Sequence, residues 1–125
     1  MQRLYMIDRL VFITYQSKQI LLIDASGCSA AEVDMIFRAT PELVTTRPHA
    51  SVLILSDYTG ASLNQDAIRA IKETTVFNKT YVKKSAVVGV SSLPPDFYKD
   101  VKSFSNREFP AFETREEAMA WLVQD

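Results

Sequence analysis

The chain has 125 residues, of which 47% are hydrophobic and 23% charged, and its formal net charge is −1. This length and composition indicate one globular domain, residues 1–125, and exclude a disordered chain. The near-zero charge excludes the basic surface of a nucleic-acid-binding protein. A single cysteine, Cys28, excludes an internal disulfide, so we expect a cytoplasmic protein. No apolar run reaches the ~18 residues that span a bilayer, so we expect no membrane span.

The first part of the chain predicts two strands and a helix. The segment LYMIDRLVFITYQ, residues 4–16, is rich in β-branched and aromatic residues and predicts a strand with a turn near Asp8. The segment QILLIDAS, residues 19–26, predicts a second strand, antiparallel to the first because the connection is short. The segment SAAEVDMIFRATPEL then predicts a helix that begins with a capping box formed by Ser29 and Glu32.

The rest of the chain alternates three strands with three helices. The strands are the runs SVLILSD, SAVVGVSS and FPAFET, and the last is expected at a sheet edge because Pro110 lacks a backbone donor. The helices are NQDAIRAIKETTVF, PPDFYKDVKSFS and TREEAMAWLVQD, and the last begins with a capping box formed by Thr114 and Glu117. The order β-β-α-β-α-β-α-β-α predicts an α/β fold with a mixed, mainly parallel sheet of four or five strands flanked by helices.

Polar side chains follow three of the predicted strands at the points where those strands end. In open α/β sheets, functional residues collect beyond the carboxyl ends of parallel strands. The loop DYTG, residues 57–60, follows one strand and is the first candidate for a functional loop. The remaining members of this candidate ligand surface are Asp24, Ser26, Ser91 and Ser92.

The loop at residues 57–60 contains one of the three glycines of the chain. Gly60 permits a turn with positive φ, so Thr59 is expected to project from the loop that leads into the next helix. A phosphate on Thr59 would carry about −1.5 to −2 charges, which the helix N-terminus would stabilise and Asp57 would oppose. The loop can therefore act as a charge switch. The alternative is structural, with Asp57 accepting a backbone N–H and Thr59 capping the helix.

The loop SDYTGASL resembles the signature loop of STAS-domain proteins, the anti-anti-sigma-factor superfamily. In those proteins an Asp-Ser-Ser/Thr-Gly stretch follows the third strand, and its second hydroxyl residue accepts a phosphate. The resemblance implies that Thr59 is the phosphoacceptor or contact residue and that Asp57, Tyr58 and Gly60 shape the loop. Tyr58 stands where that superfamily usually has a small hydroxyl residue.

Three longer segments resemble one branch of that superfamily, the SpoIIAA-like proteins, which are related to the CRAL-TRIO lipid-binding fold. They are VLILSDYTGASLNQDAIRAIKE, NKTYVKKSAVVGVSSL and FETREEAMAWLVQD, so the resemblance covers most of residues 20–125. It implies a non-enzymatic regulatory or protein-interaction domain whose partner is another protein, such as a regulatory partner or a kinase. The alternative that it implies is a carrier or sensor of a small apolar or lipid-like ligand.

Two phosphate-transfer families offer other interpretations of Asp57. A two-component receiver has its acceptor aspartate at the end of the third parallel strand and a Ser or Thr after the next, where Asp57 and Ser91 stand. It also needs an acidic pair for Mg²⁺ and a Lys-Pro pair, whereas Asp24 stands alone and the last strand has Phe109 and Pro110. The aspartyl-phosphate enzymes share the Asp-x-Thr-Gly spacing, but too few residues follow for their catalytic domain. The receiver is therefore the less favoured alternative.

The remaining candidates favour structural roles. His49 and Cys28 each occur once and lie far apart, so no metal site, catalytic triad or cofactor is expected. Cys28 stands at the start of a helix, where the dipole can lower a thiol pKa, but filling a tight turn is the favoured role. The C-terminal third is rich in aromatic residues, and those left exposed would form a homodimer surface, a partner surface or a pocket mouth. These aromatic residues are Phe97, Tyr98, Phe104, Phe109 and Phe112.

Overall fold

A computed structural model describes residues 8–124, which form an α/β domain with a five-stranded mixed sheet and four helices. The strands are β1 (Leu10–Tyr15), β2 (Lys18–Asp24), β3 (Val52–Asp57), β4 (Val82–Val88) and β5 (Ala111–Phe112). The helices are α1 (Ala30–Val44), α2 (Gln65–Asn78), α3 (Pro95–Ser105) and α4 (Arg115–Leu122). The start of the first predicted strand, residues 4–7, lies outside the described residues. None of the helices in residues 8–124 is both long enough and apolar enough to cross a bilayer.

Strands β1 and β2 form the tight antiparallel hairpin that the short connection predicts. Their turn consists of Gln16 and Ser17, which both have positive φ, 49° and 69°. Two consecutive residues with positive φ are the geometry of a type I′ turn, whose twist matches that of the flanking strands. The hairpin register then places the end of β2 beside Arg9, whose carbonyl oxygen accepts a hydrogen bond from the Asp24 N–H at 2.7 Å.

The strands lie in the sheet in their order along the chain, β1-β2-β3-β4-β5. The pairs β2–β3, β3–β4 and β4–β5 are parallel, and only β1–β2 is antiparallel among the described strands. Because the three crossovers advance in one direction and are expected to be right-handed, α1, α2 and α3 lie on the same face of the sheet. The chain then passes the short edge strand β5, and α4 packs on the opposite face, against β3, β4 and β5.

This arrangement produces a larger and a smaller hydrophobic core, one on each face of the sheet. Alternate residues of a strand point to opposite faces, so Ile54 belongs to the larger core and Leu55 to the smaller one. Helix α4 contributes Ala118 and Leu122, both almost fully buried, to the smaller core. Asp57 lies two residues after Leu55 in β3 and therefore points to the same face of the sheet, the face that α4 covers.

Local sequence signals account for most of the helix boundaries. The capping box of Ser29 and Glu32 is present, and Thr114 accepts a hydrogen bond from the backbone N–H of Glu117 at 3.1 Å. Pro41 lies inside α1 and does not end it, since the helix continues to Val44. The aromatic residues of the C-terminal third divide as expected between core and surface, with Phe97 and Phe109 buried, Phe104 exposed, and Tyr98 and Phe112 intermediate.

Candidate functional site

Strands β2 and β3 end in the same four-residue turn, Asp-x-Ser/Thr-Gly. In the first turn, Asp24 Oδ1 accepts hydrogen bonds from the backbone N–H of Ser26 at 3.0 Å and from the Ser26 hydroxyl. In the second, Asp57 Oδ1 accepts from the backbone N–H of Thr59 at 2.9 Å and from the Thr59 hydroxyl at 2.7 Å. Each aspartate therefore fixes the hydroxyl residue two positions later.

The two turns lie side by side and are bonded to each other. Asp24 and Asp57 are partners in the parallel register, and the Gly27 N–H donates to the Thr59 carbonyl oxygen at 2.8 Å. Gly27 and Gly60 have φ of 65° and 70°, a left-handed conformation in which glycine is unstrained. Sequence reasoning groups these strand ends as one polar surface, but it does not detect that the Asp-x-Ser/Thr-Gly motif occurs twice.

The end of β4 closes the other side of the Thr59 turn. Gly89, with φ of 81°, packs so closely on Thr59 that a Cβ placed there would lie 2.6 Å from the Thr59 Oγ1. The following 3₁₀ turn, Val90–Ser92, brings the Ser92 hydroxyl oxygen to accept from the Gly60 N–H at 2.8 Å. Ser91 lies in the same turn and is exposed. Loop 57–60 is therefore held between the ends of two neighbouring strands.

Arg115, the first residue of α4, joins the two aspartates. Its Nε lies 2.6 Å from Asp57 Oδ2, and one of its terminal nitrogens lies 3.0 Å from Asp24 Oδ1. The Asp57 side chain is only 7% exposed, so this cation neutralises a carboxylate that has little contact with water. Arg9 adds a second cation, 3.6 Å from Asp24 Oδ1, and donates to the Ser26 carbonyl oxygen at 2.7 Å. We call Asp24, Asp57 and Arg115 the arginine clamp.

The arginine clamp was not anticipated from the sequence, although a signal for it is present. Acidic residues are favoured in the first turn of a helix, and a cation there opposes the helix dipole. Arg115 breaks this rule at the first position of α4. Such a violation indicates that the charge has a partner outside its own helix. Here the partners are the two carboxylates that the sheet presents on the same face as α4.

The clamp sets the electrostatics of Asp24. Burial alone would raise the pKa of Asp24, but hydrogen bonds from Ser26 and the charge of Arg115 hold that pKa below its ordinary value. Burial alone would lower the pKa of Arg115, but its hydrogen bonds to Asp57 and Asp24 and the charges of those carboxylates raise it. Two aspartates and two arginines meet at this edge, so their formal charges cancel and the loop presents hydroxyl groups rather than net charge.

The lowered pKa of Asp24 predicts a specific acid sensitivity. Its contribution to stability is fully present above the unfolded pKa of about 3.9 and is lost as the pH falls through the lower folded pKa. The Asp24→Asn variant should therefore lose less of its free energy of unfolding between pH 5 and pH 2 than the unchanged protein. Urea titrations at both pH values measure this, and Asp100→Asn on the exposed side of α3 is the control. If Asp24→Asn and Asp100→Asn lost equal amounts of unfolding free energy between pH 5 and pH 2, the lowered pKa of Asp24 would be contradicted.

The structure brings most of the predicted site residues together but alters the surroundings of Thr59. Thr59 is exposed, as expected for a contact or phosphoacceptor residue. It does not lie at the tip of a helix, however, because α2 begins several residues later and Asn64 is its N-cap. Thr59 and Gly60 are instead the central residues of a turn closed by the hydrogen bond from the Ala61 N–H to the Tyr58 carbonyl oxygen. A charge at Thr59 would therefore not lie at a helix N-terminus, and the carboxylate that Thr59 contacts, Asp57, is also the one that binds Arg115.

Tyr58 shapes the loop by anchoring it in the core. It is 5% exposed, and its ring stacks on Phe37 at 5.8 Å between centroids and meets Phe97 edge-on at 6.3 Å. Burial raises the pKa of Tyr58 above its ordinary range. The bulky residue at the position that is small in the STAS signature therefore points inward, and only Thr59 and Gly60 of the loop are exposed.

The other candidate groups have structural surroundings. Cys28 is buried, and burial raises the pKa of its thiol, so the structure favours the packing role over the alternative of a helix-lowered thiol pKa. His49 is exposed and packs edge-on against Tyr81 at 5.0 Å. Within residues 8–124 no three histidine, cysteine or acidic side chains are grouped to hold a metal ion. For the receiver alternative, the cation that contacts Asp57 is the Arg115 side chain, at 2.6 Å from Oδ2.

The interior beneath the loop contains a cavity of about 40 Å³, between the sheet and helices α2 and α3. Sites for drug-sized ligands are typically about 300–1,000 Å³. Comparison with protein-family models, with curated proteins and with solved structures finds no match to this chain. The functional argument therefore depends on the chemistry of the loop and of this cavity.

Proposed function

We propose that this protein is a non-enzymatic regulatory or protein-interaction module of the SpoIIAA-like type, switched by phosphorylation of Thr59. The observation that carries the proposal is the relay from Thr59 to Arg115. The exposed Thr59 donates its hydroxyl proton to one oxygen of Asp57 at 2.7 Å, while the other oxygen holds Arg115 at 2.6 Å. A change at Thr59 therefore acts directly on a carboxylate that holds the first residue of α4.

Phosphorylation would reverse the interactions in this relay. The phosphorylated oxygen has no proton to donate to Asp57, and its phosphate adds about −1.5 to −2 charges beside that carboxylate. Arginine binds phosphate through two parallel hydrogen bonds, so the phosphate competes with Asp57 for Arg115. The expected result is that Arg115 shifts toward Thr59, and the first turn of α4 loses its tie to β3.

A binding role also fits the state of the carboxylates. Both oxygens of Asp57 accept hydrogen bonds, and Asp24 is held by Ser26 and Arg115. A general base or nucleophile needs an oxygen available for the reacting group, and both oxygens of Asp57 are already occupied. The carrier alternative has less support, because the cavity beneath the loop is too small to enclose an intact lipid. Two larger pockets, of about 310 and 330 Å³, each have at least three charged side chains in their walls, which do not suit an apolar ligand.

The test is a protein carrying phosphothreonine at position 59, incorporated during translation. Hydrogen–deuterium exchange in Arg115–Leu122 should become at least several-fold faster than in the unmodified protein, while α1 is unchanged, because the clamp is broken. Phosphoserine at position 91 is the control, since Ser91 is exposed in the neighbouring turn. Unchanged exchange in α4 would contradict the relay. The switch would also be rejected if protein isolated from its own cells, with and without its partners, never carries phosphate at Thr59.

A further inference from the structure

The cavity beneath the loop lies mostly among buried residues and is partly open to solvent. Its walls come from the sheet, from α2 and α3, and from the segment between α3 and β5. All of its lining residues are buried except Tyr98 and Arg107, which are partly exposed. These two side chains therefore mark the place where the cavity reaches the surface.

Arg107 brings a positive charge to this mostly apolar cavity. Its guanidinium donates to the Thr75 carbonyl oxygen at 2.9 Å and to the Ser85 hydroxyl, and it lies over the Phe109 ring at 5.0 Å. A guanidinium has five N–H donors, so these two bonds leave donors for another acceptor. No carboxylate among residues 8–124 pairs with it, and burial lowers the pKa of Arg107 to about 10. Arg107 is therefore a largely buried cation without a counter-anion.

Asn78 brings an unsatisfied acceptor to the same cavity. It is 4% exposed, and its Oδ1 is buried without a hydrogen-bond partner in the described part of the chain. Buried polar atoms without a partner are rare in folded proteins, because each costs free energy unless a water or ligand satisfies it. Asn78 also lies about one helical turn after Thr75, whose carbonyl oxygen binds Arg107. The cation and the acceptor therefore approach the cavity from the same part of α2.

We propose that the cavity binds a small hydroxycarboxylate whose carboxylate accepts hydrogen bonds from Arg107 and whose hydroxyl donates to Asn78 Oδ1. The volume of about 40 Å³ limits the ligand to a few non-hydrogen atoms. The apolar part of the wall favours an organic carboxylate over a strongly hydrated inorganic anion such as phosphate. Neither loop 57–60 nor the arginine clamp supplies these polar groups, so this site and the proposed switch can fail independently.

The test is a titration of ¹⁵N-labelled protein with glycolate, followed through the side-chain N–H signals of Arg107 and Asn78. Ionic strength is kept constant with sodium chloride. Both signals should shift to saturation with a dissociation constant near the millimolar range, since so small a ligand makes few contacts. Acetate has the same charge but no hydroxyl, so it should bind at least threefold more weakly. Phosphate should not bind at the same concentrations.

The decisive variant is Asn78→Asp, which places a carboxylate of the same shape in the cavity. This internal anion should pair with Arg107 and weaken glycolate binding at least tenfold. Asn64→Asp is the matched control, because Asn64 is exposed at the start of the same helix and aspartate also caps helices. The proposal is overturned if glycolate gives no saturable shift, if chloride or acetate shifts the signals equally, or if Asn78→Asp binds as tightly as the unchanged protein. The ligand comparison decides the question even if Asn78→Asp does not fold.

Discussion

Replacement of Arg115 by glutamine is expected to lower the free energy of unfolding by about 2 to 4 kcal/mol. Asp57 is 5% exposed, and Arg115 is the cation that contacts its Oδ2, at 2.6 Å. Without that cation, the folded state must hold two neighbouring carboxylates at the edge of the sheet with only Arg9 near Asp24. The expected cost is somewhat below that of breaking a fully buried pair, because the Arg115 side chain is 37% exposed.

Urea titration at neutral pH measures this effect, with two further variants for comparison. Arg38→Gln removes an arginine that pairs with Asp34 and Glu73 on the helix surface, and it should leave the unfolding midpoint nearly unchanged. Arg115→Lys retains the charge but not the planar group that reaches two carboxylates, so it should recover only part of the loss. The clamp would have no special role if Arg115→Gln destabilised the protein no more than Arg38→Gln does.

The elements of this fold could be predicted because each has a strong local signal. The capping residues Ser29 and Thr114 mark the starts of α1 and α4, and the apolar runs of β2 and β3 are long enough to be unambiguous. The apolar run predicts that β4 begins at Ser85, whereas the strand begins at Val82 and its first residues include two lysines. Those lysines lie at the start of β4, where burial is incomplete and β5 does not pair with it, so the apolar pattern is weakest there.

The order of the strands could not be read from the sequence. A doubly wound sheet places helices on both faces by reversing the strand order, and its binding crevice lies at that reversal. Here the order does not reverse, and among the helices of residues 8–124 only α4 packs on the second face. The position of α4 decides which strand-end residues have a neighbour, and it brings Arg115 to Asp24 and Asp57. The arginine clamp therefore depends on the fold as a whole and not on any local motif.

Parts of the candidate site were predictable, and parts were not. That Asp57 and Thr59 stand at the end of a central strand follows from the apolar run before them, and the exposure of Thr59 agrees with that reasoning. The direction of Tyr58 does not follow from spacing, because the first residue of a turn can face either the core or solvent. The contact between Thr59 and Gly89 joins residues thirty positions apart, so only the β3–β4 pairing brings them together.

That contact predicts a large effect for Gly89→Ala, a loss of about 2 to 5 kcal/mol in the free energy of unfolding. The new methyl group would lie 2.6 Å from Thr59 Oγ1 and 2.7 Å from Thr59 Cα, on a backbone with φ of 81°. Gly27→Ala is the matched control, because Gly27 has a similar φ of 65° but open space around its Cβ position. Gly27→Ala should cost about 1 kcal/mol. The left-handed backbone strains an alanine, and the lower conformational entropy of the unfolded variant offsets part of that strain. Urea titration of both variants gives the difference, which measures how tightly β4 holds the Thr59 loop. Equal losses would mean that the loop moves aside without cost, and the relay from Thr59 to α4 would then lack the rigid support that it requires.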